Sequence, residues 1–323
     1  MNLSKKWQPV YLGRMDFKGA DILSTEQFSK EDILRILEVA KTFEAVAEKR
    51  ETSELLKGKV MASLFYEPST RTRFSFETAM KRLGGQTITA VGQDYSSLAK
   101  GESLWDTAKM VEAYADVIVV RHPMEGSAAE MARGSNVPVL NGGDGPGQHP
   151  TQALLDMYTL MREKGTIDGL TVMMSGDLKY GRTVHSLCML LRHFDVKMIF
   201  AAPDELKMPT SYLDDLRTRG VAFEEVSELE AGLVEADVVY ATRVQKERFS
   251  DVEQYERLKL AYVLSKDVLE KTNPDITVMH PLPRVGEITT DVDGMPGAAY
   301  FRQAANGVQL RMALLALLLG KVS

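Results

Sequence analysis

A single cysteine, Cys188, stands in 323 residues, so the chain has no internal disulfide, and a reducing cytoplasm is its expected setting. The stretch around it, Ser186-Leu187-Cys188-Met189-Leu190-Leu191, is apolar and marks a buried thiol rather than a reactive one. Long hydrophobic runs are also missing. The most apolar stretch, Met312 to Leu319, falls far short of the roughly 20 residues that a membrane-crossing helix needs. Met1 to Val10 carries Lys5 and Lys6 but no apolar core, so no signal peptide is expected either. An excess of positive charge is absent: 39 Lys and Arg against 45 Asp and Glu leave a net charge of -6. That balance excludes a general nucleic-acid binder, which needs a basic surface, but it leaves room for a small anion in a locally basic cleft.

Several chemical signatures are absent as well. The histidines, His122, His149, His185, His193 and His280, form no H-E-x-x-H pattern, and one cysteine makes no zinc cluster. No G-x-S-x-G elbow occurs, and no G-x-G-x-x-G follows a strand, which weakens a dehydrogenase reading. Neither a metal nor a cofactor is expected. What is present is ordinary globular material, 44% hydrophobic and 26% charged, in a chain long enough for two domains.

Apolar β-rich runs alternate with helical patterns along the whole chain. Strands are expected at Val60–Tyr66, Thr87–Val91, Asp116–Arg121 and Val137–Asn141, with helices around Glu31–Lys49, Ser69–Leu83, Leu104–Tyr114 and Thr151–Arg162. In the second half the strands are Thr171–Ser175, Lys197–Ala202, Asp237–Thr242 and Ile276–His280, and the helices Gly181–His193, Pro209–Arg219 and Glu228–Glu235. The strand runs are continuously apolar, as parallel strands covered on both faces are. The expected fold is therefore α/β, with two domains that each hold a mostly parallel sheet flanked by helices. A boundary is expected near the glycine-dense Gly142–Gly147 or just after it, dividing 1–150 from 151–299. The final helix, Tyr300–Leu319, lies in 300–323 and is assigned to the first domain.

In open parallel sheets ligands bind beyond the carboxyl ends of the strands. Past the first strand lies Ser69-Thr70-Arg71-Thr72-Arg73, opening a helix. Unpaired helix-start amides, hydroxyls and forked guanidinium groups together suit a phosphate. The plainer reading is a capped helix with two solvated arginines. Arg121 ends the third strand, and His149 and Gln152 sit where the glycine loop opens a helix; His149 has the chemistry to donate to a carbonyl oxygen or carry a proton. Gly176-Asp177-Leu178-Lys179-Tyr180-Gly181-Arg182-Thr183 has P-loop spacing, with Arg182 at the lysine position. This supports a rival reading, a nucleotide hydrolase, but the lysine is missing and two other basic strand ends would go unused. Arg243 and Gln245 share one side of an extended stub suited to a carboxylate. Pro281-Leu282-Pro283 fixes a turn whose carbonyls suit an amino group.

Taken together, Ser69–Arg73, Ser97-Leu98-Ala99-Lys100-Gly101-Glu102, Arg121-His122-Pro123, His149-Pro150-Thr151-Gln152, Gly176–Ser186, Arg243–Arg248 and His280–Arg284 resemble the aspartate/ornithine carbamoyltransferase family, in its order and from about residue 20 to the C-terminus. The resemblance implies transfer of a carbamoyl group from carbamoyl phosphate to L-aspartate, giving N-carbamoyl-L-aspartate and phosphate, an early step of pyrimidine synthesis. It implies that Ser69, Thr70, Arg71 and Thr72 hold the phosphate. Arg71, Thr72, Arg121, His149 and Gln152 would surround the carbamoyl group, with Arg71, Thr72, Arg121 and His149 carrying the catalysis. Arg182, Thr183, Arg243 and Gln245 would bind aspartate, with carbonyls from Pro281 and Leu282. Ser97 and Lys100 would reach into a neighbouring subunit's site, Lys100 touching both substrates, which implies a homotrimer with shared sites and leaves room for regulatory chains. Relatives with a longer loop make Ser96 an alternative to Ser97. Leu282-Pro283 resembles the family's cis peptide. A relative using ornithine would be expected to read His-Cys-Leu-Pro at His280–Pro283 and to lack Arg243-Val244-Gln245.

Overall fold

The structure, a computed structural model, describes residues 15–92, 97–244 and 262–322, with Glu253, Tyr255, Leu258 and Lys259. Two compact units emerge, one within Met1–Gly145 and Arg311–Ser323 and the other within Pro146–Leu310.

The first unit opens with α1 (Lys30–Thr42). Ser29 and Asp32 cap each other's backbone amides at its start, and Ile33, Ile36, Leu37 and Ala40 form its buried stripe. Phe43 interrupts the helix expected to run on to Lys49, and a short α2 (Glu44–Glu48) follows. Then come β1 (Val60–Phe65), α3 (Thr70–Arg82), β2 (Gln86–Val91), α4 (Leu104–Val111), β3 (Val117–His122), α5 (Ser127–Gly134) and β4 (Val139–Asp144). The strands pair in parallel in the order β2-β1-β3-β4. The inner β3 is buried along its whole length, as its unbroken apolar run requires. The outermost β2 departs from that pattern, with Ile88 and Val91 exposed, because apolar composition does not tell an inner strand from an edge strand.

The second unit contains α6 (Pro150–Lys164), β5 (Thr171–Ser175), α7 (Arg182–Leu191), β6 (Lys197–Ala201), α8 (Thr210–Arg219), β7 (Ala222–Val226), α9 (Leu229–Leu233), β8 (Val238–Ala241), α10 (Lys266–Thr272) and β9 (Thr277–Met279). Its sheet is also parallel, in the order β7-β6-β5-β8-β9. β7 was not expected, since Glu224 and Glu225 interrupt its apolar pattern; as an edge strand it needs only Phe223, which packs on Phe200. Behind the sheet Met173, Ile199, Leu233 and Val239 are fully buried. Each such side chain contributes roughly 1.5–3 kcal/mol before conformational entropy is set against it.

The last helix, α11 (Tyr300–Leu318), serves both units. Its first turns belong to the second unit, where Gln303 bonds Asp156 and Asn306 bonds Thr159 and Arg162. Its last turns return to the first, where Arg311 covers the Phe76 ring and Leu318 accepts a hydrogen bond from the Gly19 amide. The chain passes between the two units at Gly145/Pro146 and Leu310/Arg311, where the sequence reading has 150 and 300. The fold is α/β throughout.

Candidate functional site

In the first unit Arg121 lies level with the end of β1, paired with Phe65 across the ladder, so the segment leaving β1 starts beside it. Glu67 in that segment holds the Arg121 guanidinium at 2.8 Å, and Nη1 of Arg121 donates to the Gly142 carbonyl at 3.1 Å. Pro68 follows, Ser69 is extended, and α3 begins at Thr70. Phe76, Ala79 and Met80 bury one face of that helix, which leaves its N-terminus at the sheet rim. Ser69 makes no side-chain cap, and the first turn holds no acidic residue to offset the positive end of the helix dipole.

The two arginines of this motif part company. Arg73 turns back toward Glu77 at 3.9 Å and lies over the Phe74 ring, which takes it away from the anion-binding role its sequence position suggested. The Arg71 guanidinium has no ion pair or hydrogen bond among the described residues, and partial desolvation lowers its pKa from the ordinary value. Arg71 is exposed at the start of α3, where a guanidinium with no described counter-charge can meet an anion from solvent. Thr70 is exposed and Thr72 buried. His122, beside Arg121, accepts the Met124 amide on Nδ1, and burial lowers its pKa from the ordinary histidine value. Lys100 ends a short 3-10 turn, Ser97–Lys100, and is exposed. Ser96 lies outside the described residues.

In the second unit Ser175 is level with Ala241, and Tyr240 with Met279, so the segments leaving β5, β8 and β9 emerge along one edge. That edge gathers Arg182, Thr183, Arg243, Pro281 and Leu282; Gln245 lies outside the described residues. Gly176 has φ +108° and lies against the Thr242 carbonyl, where an added Cβ would approach to 2.2 Å, so only glycine fits. Thr183 hydrogen-bonds the buried Tyr240 hydroxyl. His149 is buried, and its backbone amide donates to Ser186 Oγ at 3.2 Å, which ties the start of α6 to α7.

The turn after β9 is held tightly. The Leu282 amide donates to His280 Nδ1 at 2.8 Å, and His280 Nε2 meets Glu287 at 2.7 Å. Glu287 also accepts the Val285 amide. Arg284 is engaged by Asp293 and Tyr300, and Asp293 is held down at about 2 by those two partners. The Leu282–Pro283 peptide is cis, and Leu282 has φ +53°, a conformation that leucine adopts only when its surroundings impose it. The Pro281 and Leu282 carbonyls accept no hydrogen bond from a described residue.

The Gly176–Gly181 loop does not act as a phosphate cradle. The Leu178 amide donates to Leu206, Tyr180 to Asp177 Oδ1, and Arg182 back to Tyr180. A P-loop needs its amides for phosphate oxygens, and here three are already used. Among the described residues no group of three or more His, Cys, Asp or Glu is placed to hold a metal ion.

Sequence reasoning gave no role to Glu67, Asp156, Tyr240, Glu287 or Gln303. Asp156 had a signal, since it stands four residues after Gln152 on a helix and so shares its face. Gln303 had none, because its partners are distant in sequence.

Each of the two parallel sheets ends in a rim that carries arginines, with carbonyls free of described donors at the Pro281-Leu282 turn of the second, a setting that suits a transferase for small anionic substrates. The chain belongs to the aspartate/ornithine carbamoyltransferase family: residues 20–162 match its carbamoyl-P binding domain and 168–318 its Asp/Orn binding domain. It is 52% identical over 304 residues to the aspartate carbamoyltransferase catalytic subunit of Leptospira biflexa, covering 94% of this chain and 98% of that protein. The Thermococcus kodakarensis catalytic subunit is 51% identical over 306 residues, covering 95% and 99%. Among solved structures, aspartate transcarbamoylase from Trypanosoma cruzi in complex with N-(phosphonacetyl)-L-aspartic acid matches with a TM-score of 0.89 and 41% identity, over 95% of this chain and 98% of that one.

Proposed function

We propose that this chain transfers the carbamoyl group of carbamoyl phosphate to L-aspartate, and the observation that carries the reading is the exposed Arg71, with no ion pair or hydrogen bond to a described residue, at the start of α3, where Ser69 makes no side-chain cap. The amine of aspartate attacks the carbamoyl carbon, the bond from that carbon to the phosphate oxygen breaks, and the phosphate leaves with the electron pair. The departing phosphate takes the amine proton, so no protein base is needed.

Ser69, Thr70, Arg71 and Thr72 receive the phosphate, where each charge-assisted hydrogen bond contributes about 1.5–3 kcal/mol. Arg71, Thr72, Arg121, His149 and Gln152 handle the carbamoyl group, and Arg71, Thr72 and His149 stabilise the charge that attack places on its oxygen. Arg182, Thr183, Arg243 and Gln245 bind aspartate. The Pro281 and Leu282 carbonyls take its amino group, a role supported by the absence of a donor to them among the described residues and by the imposed conformation of Leu282. Two anions repel in water, and the arginines replace that repulsion with fixed positive charge.

The reaction is tested by incubating the purified protein with carbamoyl phosphate and either L-aspartate or L-ornithine. Carbamoyl aspartate is the expected product, and formation of citrulline alone would overturn the assignment. A cytoplasmic location fits the single cysteine. The assembly proposed is a homotrimer in which Ser97 and Lys100 serve a neighbouring subunit, with regulatory chains as further candidates for association. Mixing inactive Arg71→Ala and Lys100→Ala subunits then restores activity at hybrid sites; no recovery after proven exchange would mean self-contained sites.

A further inference from the structure

Asp156 lies one turn after Gln152 on α6 and is wholly buried. Its Oδ1 accepts from Gln152 Nε2 at 2.9 Å and from Gln303 Nε2 at 2.7 Å, and its Oδ2 accepts from the Tyr240 hydroxyl at 2.9 Å. Both glutamines therefore present their –NH₂ to the same Asp156 oxygen. For Gln303 the result is internal: its Oε1 accepts the His280 amide at 2.8 Å, at the root of the Pro281-Leu282 turn. For Gln152 no described residue donates to the carbonyl oxygen. The –NH₂ end is claimed and the oxygen is on offer.

We propose that Asp156 is a positioning residue that sets the polarity of the Gln152 amide, so that an acceptor meets the acyl group of the phosphorylated substrate and an acyl group bearing –NH₂ is preferred to one bearing methyl. The inference rests on the reading that Gln152 handles the carbamoyl group. A site built to hydrogen-bond a substrate N–H rejects an analogue lacking it, because the site's own polar atom is then left unpaired. Without Asp156 the Gln152 amide is free to rotate, and its –NH₂ would face the carbamoyl –NH₂, donor against donor.

The test is the ratio of affinities for carbamoyl phosphate and acetyl phosphate, measured by competition on the full-length protein. Asp156→Ala lowers that ratio at least about tenfold. Asp156→Asn retains it, because one amide oxygen serves both glutamines while Nδ2 faces the Tyr240 oxygen, which can also accept. A purely structural role would weaken both ligands alike and leave the ratio unmoved; that result, or equal loss of the ratio in Asp156→Asn, overturns the proposal. Gln152→Met, which leaves Asp156 in place, loses the preference as well; a native preference in that variant also overturns it. A wild-type protein that makes carbamoyl aspartate but does not prefer carbamoyl phosphate removes this inference alone, whereas one that makes no carbamoyl aspartate removes the reading beneath it.

Discussion

In the first unit Arg71 carries its charge without a partner among the described residues, at a helix start where Ser69 makes no side-chain cap, whereas in the second the turn after β9 is bound by the His280–Glu287 and Arg284–Asp293 pairs. Both rims carry arginines, and the second adds a turn whose shape is set in advance. The difference follows from what each would hold. A phosphate is met by any well-placed cation and amide, so its site can stay open and wait. An amino group recognised by backbone carbonyls needs those carbonyls aimed in advance, since a loose turn would pay for its ordering on binding. The His280–Glu287 hydrogen bond and the Arg284–Asp293 ion pair of the second rim therefore act as scaffolding, while Arg71 of the first is left without a described partner.

The comparison breaks first at Arg71. Arg71→Ala is expected to lower turnover by about 10³-fold, on the scale of losing a donor to developing charge, while the unfolding midpoint stays within about 0.5 kcal/mol of native. Near-normal turnover in steady-state kinetics would show that the bare cation has no part in the reaction. The next effect belongs to the second rim. Arg243→Ala should raise the aspartate KM by about 10- to 100-fold, the worth of one or two charge-assisted hydrogen bonds, with carbamoyl phosphate affinity unchanged. Loss of carbamoyl phosphate affinity alone would reverse the roles given to the two rims.

Glu287→Gln should have the smallest effect, about 1 kcal/mol of stability, read from denaturant unfolding. Burial works to raise the Glu287 carboxyl, but the hydrogen bonds from His280 and the Val285 amide outweigh it and hold the group below its ordinary 4.5. A carboxylate depressed in the folded state adds stability above that pH and loses the contribution as pH falls below it. The variant should therefore show a flatter acid limb. An acid limb that matches the native one would mean that the His280 pair is not the strut described here.

Much of this was readable along the chain. The inner strands announced themselves by unbroken apolar runs, and Ser69–Arg73 and His280–Arg284 stood where strands end. Edge strands were less legible: Ile88 and Val91 read as core and lie exposed, while Glu224 and Glu225 hid β7. An edge strand answers to one neighbour, so its composition is weakly constrained. In the phosphate motif Arg71 and Arg73 looked alike. Only the helix turned Arg73 to Glu77 and left Arg71 bare, because an i,i+4 acid serves one position and not the other.

The local pattern of residues was enough to establish the α/β alternation, two parallel sheets and the segments at their rims, because periodicity and turn chemistry act over a few neighbours. Which polar groups are consumed inside the protein and which are left for a ligand was decided by tertiary structure. Gln303 reaches Asp156 across 147 positions and Tyr240 reaches it across 84, and a hydrogen bond between such distant residues exists only once the chain has folded around it.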